Sequence, residues 1–158
     1  MKEMNGIGEF IAHMALMDVQ AVLSIHEGLK KCAMAVEKTA KEEIGVYQGD
    51  APPFGAWPEL ADVTKEDRLN KGFTENDPLL RTGGLRDSIG RTVDGLEAAV
   101  GSTSEVMVWQ ELGTEKIPPR PVLGAAAVNN IPLIKRTLGI AVANGLLYGS
   151  GNSFTLLE

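Results

Sequence analysis

Pro78-Leu-Leu-Arg-Thr-Gly-Gly-Leu-Arg-Asp-Ser-Ile-Gly-Arg-Thr-Val-Asp-Gly-Leu-Glu-Ala-Ala-Val-Gly101 is the stretch whose reading decides the fold class. At its centre, Asp94-Gly95 separates two short runs of strand-like character. Asp-Gly supplies the positive φ angles of a tight type I′ turn, so Ser88–Val93 and Leu96–Gly101 are predicted to pair as a two-stranded hairpin. Just ahead of it, Arg81-Thr-Gly-Gly-Leu-Arg86 reads as a turn leading into a short helical or extended segment. A lone hairpin is only marginally stable in water, so its apolar face needs cover. The chain offers one helical candidate on each side of the hairpin, which predicts an α+β fold.

Upstream, the chain from about Gly8 to Ile44 contains no proline. Val22, Ile25, Leu29, Cys32, Val36 and Ala40 recur in steps of three and four, a stripe down one helical face. A single helix over residues 8–44 is expected, with a break near Gly28 as the alternative, since glycine costs helix stability without having to end a helix. Unbroken, it is roughly 50 Å long at ~1.5 Å per residue. A stripe of that length exceeds what one small domain covers, so Val22, Leu29 and Val36 are candidates for an interface with another subunit.

Gly45–Asp77 is rich in glycine and proline and reads as an extended arm, partly unordered in the free subunit. Within it, Pro58-Glu-Leu-Ala61 begins a short helix that Gly72 ends. Beyond the hairpin, Ser102–Ser104 is placed to cap a short helix through Trp109 and Gln110 that stops at Gly113. A strand through Val106–Val108 is the competing reading. Ile117-Pro-Pro-Arg-Pro121 is stiff and extended. A helix then starts at Pro121, is kinked or restarted at Pro132, and runs to Gly149. Ser150–Glu158 reads as a tail, and the whole is taken as a single domain over residues 1–158 with no internal repeats.

Composition narrows the function classes. The chain has 158 residues, of which 44% are hydrophobic and 23% charged, so it is long and apolar enough to fold around a real core. Its net charge of −6 argues against a protein that binds nucleic acid by neutralising phosphates, though not against a channel that DNA slides past. Cys32 is the single cysteine, which leaves no intrachain disulfide and no thiolate cluster. No apolar run approaches the ~18 residues of a membrane span, and the first residues lack the pattern of a signal peptide. A soluble protein of a reducing compartment is expected.

Nothing in the sequence assembles into an active site. His13 and His26 lie about 220° apart around a helix and cannot share a ligand. His26-Glu27 begins like a zinc-protease motif, but Lys30 stands where the second histidine belongs. Cys32 lies on the apolar stripe, and His26 is about 240° away from it around the same helix. Gly83-Gly84 lacks the Lys-Ser or Lys-Thr of a phosphate loop. No catalytic residue, cofactor or metal is expected. Glu111 and Arg120 flank a loop containing Gly113-Thr114 and Pro118-Pro119. They read either as a loop-fixing or intersubunit ion pair or as two solvated charges. Trp109 is a core anchor or an interface anchor.

Trp57-Pro-Glu-Leu60, Thr64 and Pro78-Leu-Leu-Arg-Thr-Gly-Gly-Leu-Arg-Asp-Ser-Ile89, followed by Val108-Trp-Gln-Glu-Leu-Gly-Thr114 and Ile117-Pro-Pro-Arg-Pro-Val-Leu123, come in a telling order. This segment resembles the middle of the HK97-type neck, tail-completion or minor tail proteins of tailed bacteriophages. In that family an aromatic residue precedes Glu-X-Gly-Thr and then Pro-X-Arg-Pro-X-Leu. The resemblance covers about Trp57 to Ala127 and extends to the related virion-morphogenesis proteins, which share the Thr-Gly-X-Leu element. Val106-Met-Val108, where the family commonly has Tyr-Ala, and Asn129-Asn-Ile-Pro132 depart from the pattern.

The resemblance implies an α+β subunit with a long N-terminal helix, a small antiparallel sheet and a C-terminal helix. It also implies a homo-oligomeric ring in the virion that joins the head connector to the tail tube, with the phage's head-connector and tail proteins as partners. DNA at most passes through the lumen, and no membrane is involved. Trp57, Arg81, Arg86, Trp109, Glu111 and Arg120 then join the stripe residues as assembly candidates. The competing class is an adaptor or small regulatory protein of a prophage that binds a host protein.

Overall fold

The computed structural model describes residues 7–147 of the chain. Its elements run α1 (Ile7–Glu43), α2 (Asp62–Asn70), α3 (Gly84–Asp87), β1 (Ile89–Asp94), β2 (Glu97–Ser102), α4 (Glu105–Leu112), α5 (Leu123–Asn129) and α6 (Ile131–Leu147). The fold is α+β, with a long N-terminal helix, a two-stranded antiparallel sheet and a C-terminal helix. α1 is continuous through Gly28 over 37 residues.

Contacts divide the chain into two compact units. The first combines α1 up to Ala33, the hairpin turn Val93–Ala98 and α6 from Pro132 onward. Here α1 and α6 meet through small residues. A Cβ placed on Gly28 would lie 3.1 Å from Ala141 Cβ, and one on Gly145 would lie 2.3 Å from Ala21 Cα. The glycine that threatens α1 in isolation is therefore what lets its neighbour approach. Cys32 is buried in this seam as a small core residue, and burial pushes its thiol pKa up although Thr137 hydrogen-bonds to it. His26 Nδ1 donates to the Gly95 carbonyl at 2.6 Å, fastening the hairpin turn to α1.

That turn differs from the expected one by a residue. The two-residue loop is Gly95-Leu96, flanked by Asp94 and Glu97. Gly95 alone carries a positive φ, +53°. A positive φ at the first central position only is the II′ pattern, in which glycine leads the loop; in I′ both central residues take positive φ. Asp94 ends β1 instead.

The second unit comprises Met34–Thr92 and Ala99–Ile131. Its core gathers Val36 and Ala40 from α1, Ile44 just beyond it, Trp57 and Ile89, Met107 of α4, and Val122, Ala125 and Ala126 around α5. Asn130, between α5 and α6, turns its side-chain amide onto Thr39 Oγ1 at 2.9 Å and the Ala126 carbonyl at 2.8 Å. Pro132 then falls in the first turn of α6, where a missing N–H costs nothing.

The arm after α1 is held at many points, contrary to the looseness its composition implies. Gly45 N donates to the Pro78 carbonyl at 2.8 Å, Ala51 and Phe54 exchange two backbone bonds, and Trp57 N donates to the Gln48 carbonyl at 2.9 Å. Tyr47 hydroxyl accepts from Leu60 N at 3.0 Å and donates to Asn76 Oδ1 at 2.6 Å. α2 starts at Asp62, four residues after Pro58: Pro58-Glu-Leu60 forms no regular element and Ala61 is extended. It closes in a Schellman arrangement, with Phe73 N bonded to the Arg68 carbonyl and Gly72 N to the Leu69 carbonyl. The segment Ser150–Glu158, read as a tail, lies outside the described residues.

Close packing of α6 on α1 gives a test in which propensity and packing have opposite signs. Alanine outranks glycine in a helix interior by about 1 kcal/mol, so Gly145→Ala at an open site would stabilise. Here the Cβ collides with the backbone of Ala21, and urea unfolding is expected to show a loss of at least ~1 kcal/mol.

Candidate assembly site

Three of the residues singled out from sequence come together in the second unit around Pro119–Leu123. Arg120 is buried at 5% exposure. Its Nε donates to the Pro58 carbonyl at 3.1 Å, and its Nη2 donates to the Pro58 and Glu59 carbonyls at 2.8 and 3.0 Å. Those two carbonyls are free to accept because Pro58 and Glu59 lie outside any helix, ahead of the start of α2. One residue away on each strand of this junction, Trp57 Nε1 donates to the Pro121 carbonyl at 3.1 Å. The two segments thus hold each other reciprocally, with a backbone bond from Arg120 N to the Gln110 carbonyl at 2.6 Å tying in α4.

Glu111 does not pair with Arg120. Its Oε1 accepts from Val122 N at 2.8 Å and also from Leu123 N, the first turn of α5. Backbone donors at a helix start carry partial positive charge, so a carboxylate is stabilised there as it would be by a cation. Both readings of the pair, as an ion pair and as two solvated charges, therefore give way to two side chains that each fasten backbone. The rest of the Glu-X-Gly-Thr pattern has equally local work. Gly113 takes a φ of +72° at the end of α4. Thr114 closes the loop, with its N–H donating to the Ile117 carbonyl at 2.8 Å and its hydroxyl accepting from Ile117 N at 3.1 Å.

The other candidates are placed separately. Arg81 pairs with Asp67 at 2.7 Å, and its guanidinium lies 5.5 Å from the Phe73 ring centroid. Arg86 is exposed, 3.7 Å from Asp87. Trp109 is not a core anchor: it is 47% exposed, beside Val106, Val108 and Leu112, which are also exposed on α4. Only Met107 of that helix is buried. The stripe on α1 divides too, since Val22 is exposed, Leu29 is half-buried and Val36 is buried in the second unit.

Two participants carry no motif. Arg68 of α2 is buried at 4% exposure. It donates to the Thr74 carbonyl at 2.7 Å, the Leu80 carbonyl at 2.6 Å and Thr74 Oγ1 at 3.2 Å. Arg68 and Arg120, both buried, make no ion pair among the described residues. They line a groove of about 590 Å³ between α2, the Leu79–Leu85 segment, α4 and the Lys116–Pro118 loop. Desolvation lowers the Arg120 pKa, but a guanidinium starts so far above neutrality that it stays charged.

Glu43, at the end of α1, is the second. Asn129 Nδ2 donates to its Oε1 at 3.3 Å, while its Oε2 is enclosed without a partner. Burial, reinforced by the charge of Glu111, pushes its pKa up to about 7 against the opposing Asn129 bond. Among the described residues no three His, Cys, Asp or Glu side chains gather as a metal site, and no helix is long and apolar enough to cross a membrane.

The raised Glu43 pKa sets a sign for stability against pH. Between the ordinary carboxyl value of 4.5 and about 7 the folded chain holds more protons than the unfolded one. Stability therefore falls as pH rises through that window. Glu43→Gln, which keeps the shape and has no charge to bury, should melt above wild type at pH 8, by on the order of 1 kcal/mol, and close to it at pH 4.5. Thermal melts of the two proteins at both pH values check this.

No family model, no curated protein and no solved structure matches the chain.

Proposed function

We propose that this chain is a structural subunit of a tailed-phage virion, a ring-forming neck or tail-completion component joining the head connector to the tail tube. One observation carries the reading. Trp57-Pro-Glu, Glu111-X-Gly-Thr114 and Pro118-X-Arg-Pro-X-Leu123, which carry much of the family resemblance, converge on one junction where the Trp57, Glu111, Thr114 and Arg120 side chains each fasten backbone. Residues used in this way build a scaffold. What the scaffold presents is α4, with Val106, Val108, Trp109 and Leu112 exposed together. Covering the surface these side chains still expose is worth on the order of 1 kcal/mol each, a driving force for association. A patch repeated head to tail closes into a ring, and the net charge of −6 suits a ring around DNA that must slide.

The test is deletion of the gene from its parent phage. A joint component leaves packaging and tail-tube polymerisation intact, so the lysate contains filled heads and free tails as separate particles under the electron microscope. Normal, infectious, joined virions would overturn the reading in favour of a host-directed adaptor.

A further inference from the structure

We infer that the groove lined by Arg68 and Arg120 is a peptide-binding site whose occupant is Phe154-Thr-Leu-Leu-Glu158 of a second copy of this chain. The inference deepens the ring-forming reading and rests on it. The groove is open along one side, and its volume of about 590 Å³ falls within the range of ligand-binding clefts. Its walls are mixed in a particular way. Apolar surface comes from Leu60, Leu79, Val106 and Ile117, and positive charge from Arg68, Arg81, Lys116 and Arg120 against the single acid Glu59.

Arg81 is already neutralised by Asp67. Arg68 and Arg120 are not neutralised by any described carboxylate. Both spend Nε and Nη2 on neutral oxygen atoms, and Nη1 takes no part in those bonds. Two buried guanidinium groups whose charge goes unmatched make a standing positive potential in an otherwise acidic protein, and an incoming carboxylate would offset it. The ligand such walls select is an extended peptide that brings apolar side chains and an acid within a few residues.

The chain carries one such sequence beyond α6. After Leu147 come Tyr148-Gly-Ser-Gly-Asn-Ser153, then Phe154-Thr-Leu-Leu-Glu158. The first part is made mostly of glycine, serine and asparagine. The second places one aromatic, two leucines and one carboxylate within about 17 Å of extended backbone at ~3.3 Å per residue. Lending this segment to a neighbour makes each contact head-to-tail, the type that closes into rings.

The probe is a fluorescein-labelled peptide covering Gly151–Glu158, amidated so that only the Glu158 side chain supplies the acid. It is titrated into the full chain carrying Leu156→Asp and Leu157→Asp, whose own segment cannot compete. Saturable binding is expected. It should weaken about tenfold when Val106→Asp is added to the chain, and about threefold with Lys116→Glu, an exposed site that leaves the fold alone. A Glu158→Lys peptide should regain affinity on the Lys116→Glu chain. In sedimentation, wild type should gain mass with concentration while the Leu156→Asp, Leu157→Asp chain stays monomeric. An equimolar mixture of that chain with Val106→Asp should stop at dimers.

Equal binding of a scrambled peptide of the same composition would overturn the inference and give the groove to acidic peptides at large. A monomeric wild type whose groove is filled by its own segment would overturn the second-copy assignment. Rings formed equally well by the Leu156→Asp, Leu157→Asp chain would sink the inference and leave the ring-forming reading standing. The deletion lysate judges that reading separately.

Discussion

The second unit depends on a buried guanidinium, Arg120, that pairs with no carboxylate among the described residues. Arg120 reaches across 62 residues of chain to the Pro58 carbonyl, and Trp57 answers with its indole N–H on the Pro121 carbonyl. Burying an unpaired charge costs several kcal/mol. Three hydrogen bonds from a charged donor return about 1.5–3 kcal/mol each, so the arrangement persists only while all of them are made. The planar fork makes that geometry available, since Nε and Nη2 aim side by side at adjacent carbonyls. A lysine ammonium cannot copy it.

The consequences spread outward from that contact. Holding Pro58 and Glu59 out of helix delays α2 and brings Arg68 over the Thr74 and Leu80 carbonyls. Pro121 set by Trp57 leaves Val122 and Leu123 with their N–H groups toward Glu111, which fastens the start of α5 to the end of α4. With α4 pinned at Gln110 and Glu111 and only Met107 turned into the core, Val106, Val108, Trp109 and Leu112 are left exposed, so Trp109 is displayed instead of buried. A frame that exposes an aromatic and three aliphatic side chains is the physical link between this chain's fold and the assembly role proposed for it.

The elements that local code specifies were legible in the sequence. The long helix, the hairpin and the Gly113 stop each rest on periodicity or turn chemistry that needs no distant partner. The single helix over α1 runs through Gly28 as expected, and the reason the glycine is tolerated lies more than a hundred residues away, in Ala141 packed against it. Where distant groups decide, the sequence is less explicit. The hairpin turn moved from Asp94-Gly95 to Gly95-Leu96, a one-residue difference that two turn types sharing a glycine do not resolve. Glu111 and Arg120 stand out in the sequence by type and position. Opposite charges suggested each other, whereas their partners are backbone groups, which leave no mark in a sequence. Arg68 carries no motif at all. The arm's prolines and glycines read as looseness because the bonds that hold it come from single side chains such as Tyr47 and Trp57.

The central claim is that Trp57 and Arg120 act as one clamp, two ties between the same pair of segments. A double-mutant cycle in urea unfolding, built from Trp57→Phe, Arg120→Lys and the double variant, measures it directly. A clamp requires that the second change cost less once the first has loosened the junction, with a coupling energy of about 1 kcal/mol or more. Losses that add to within ~0.3 kcal/mol would contradict it, leaving two independent contacts and no cooperative frame beneath α4.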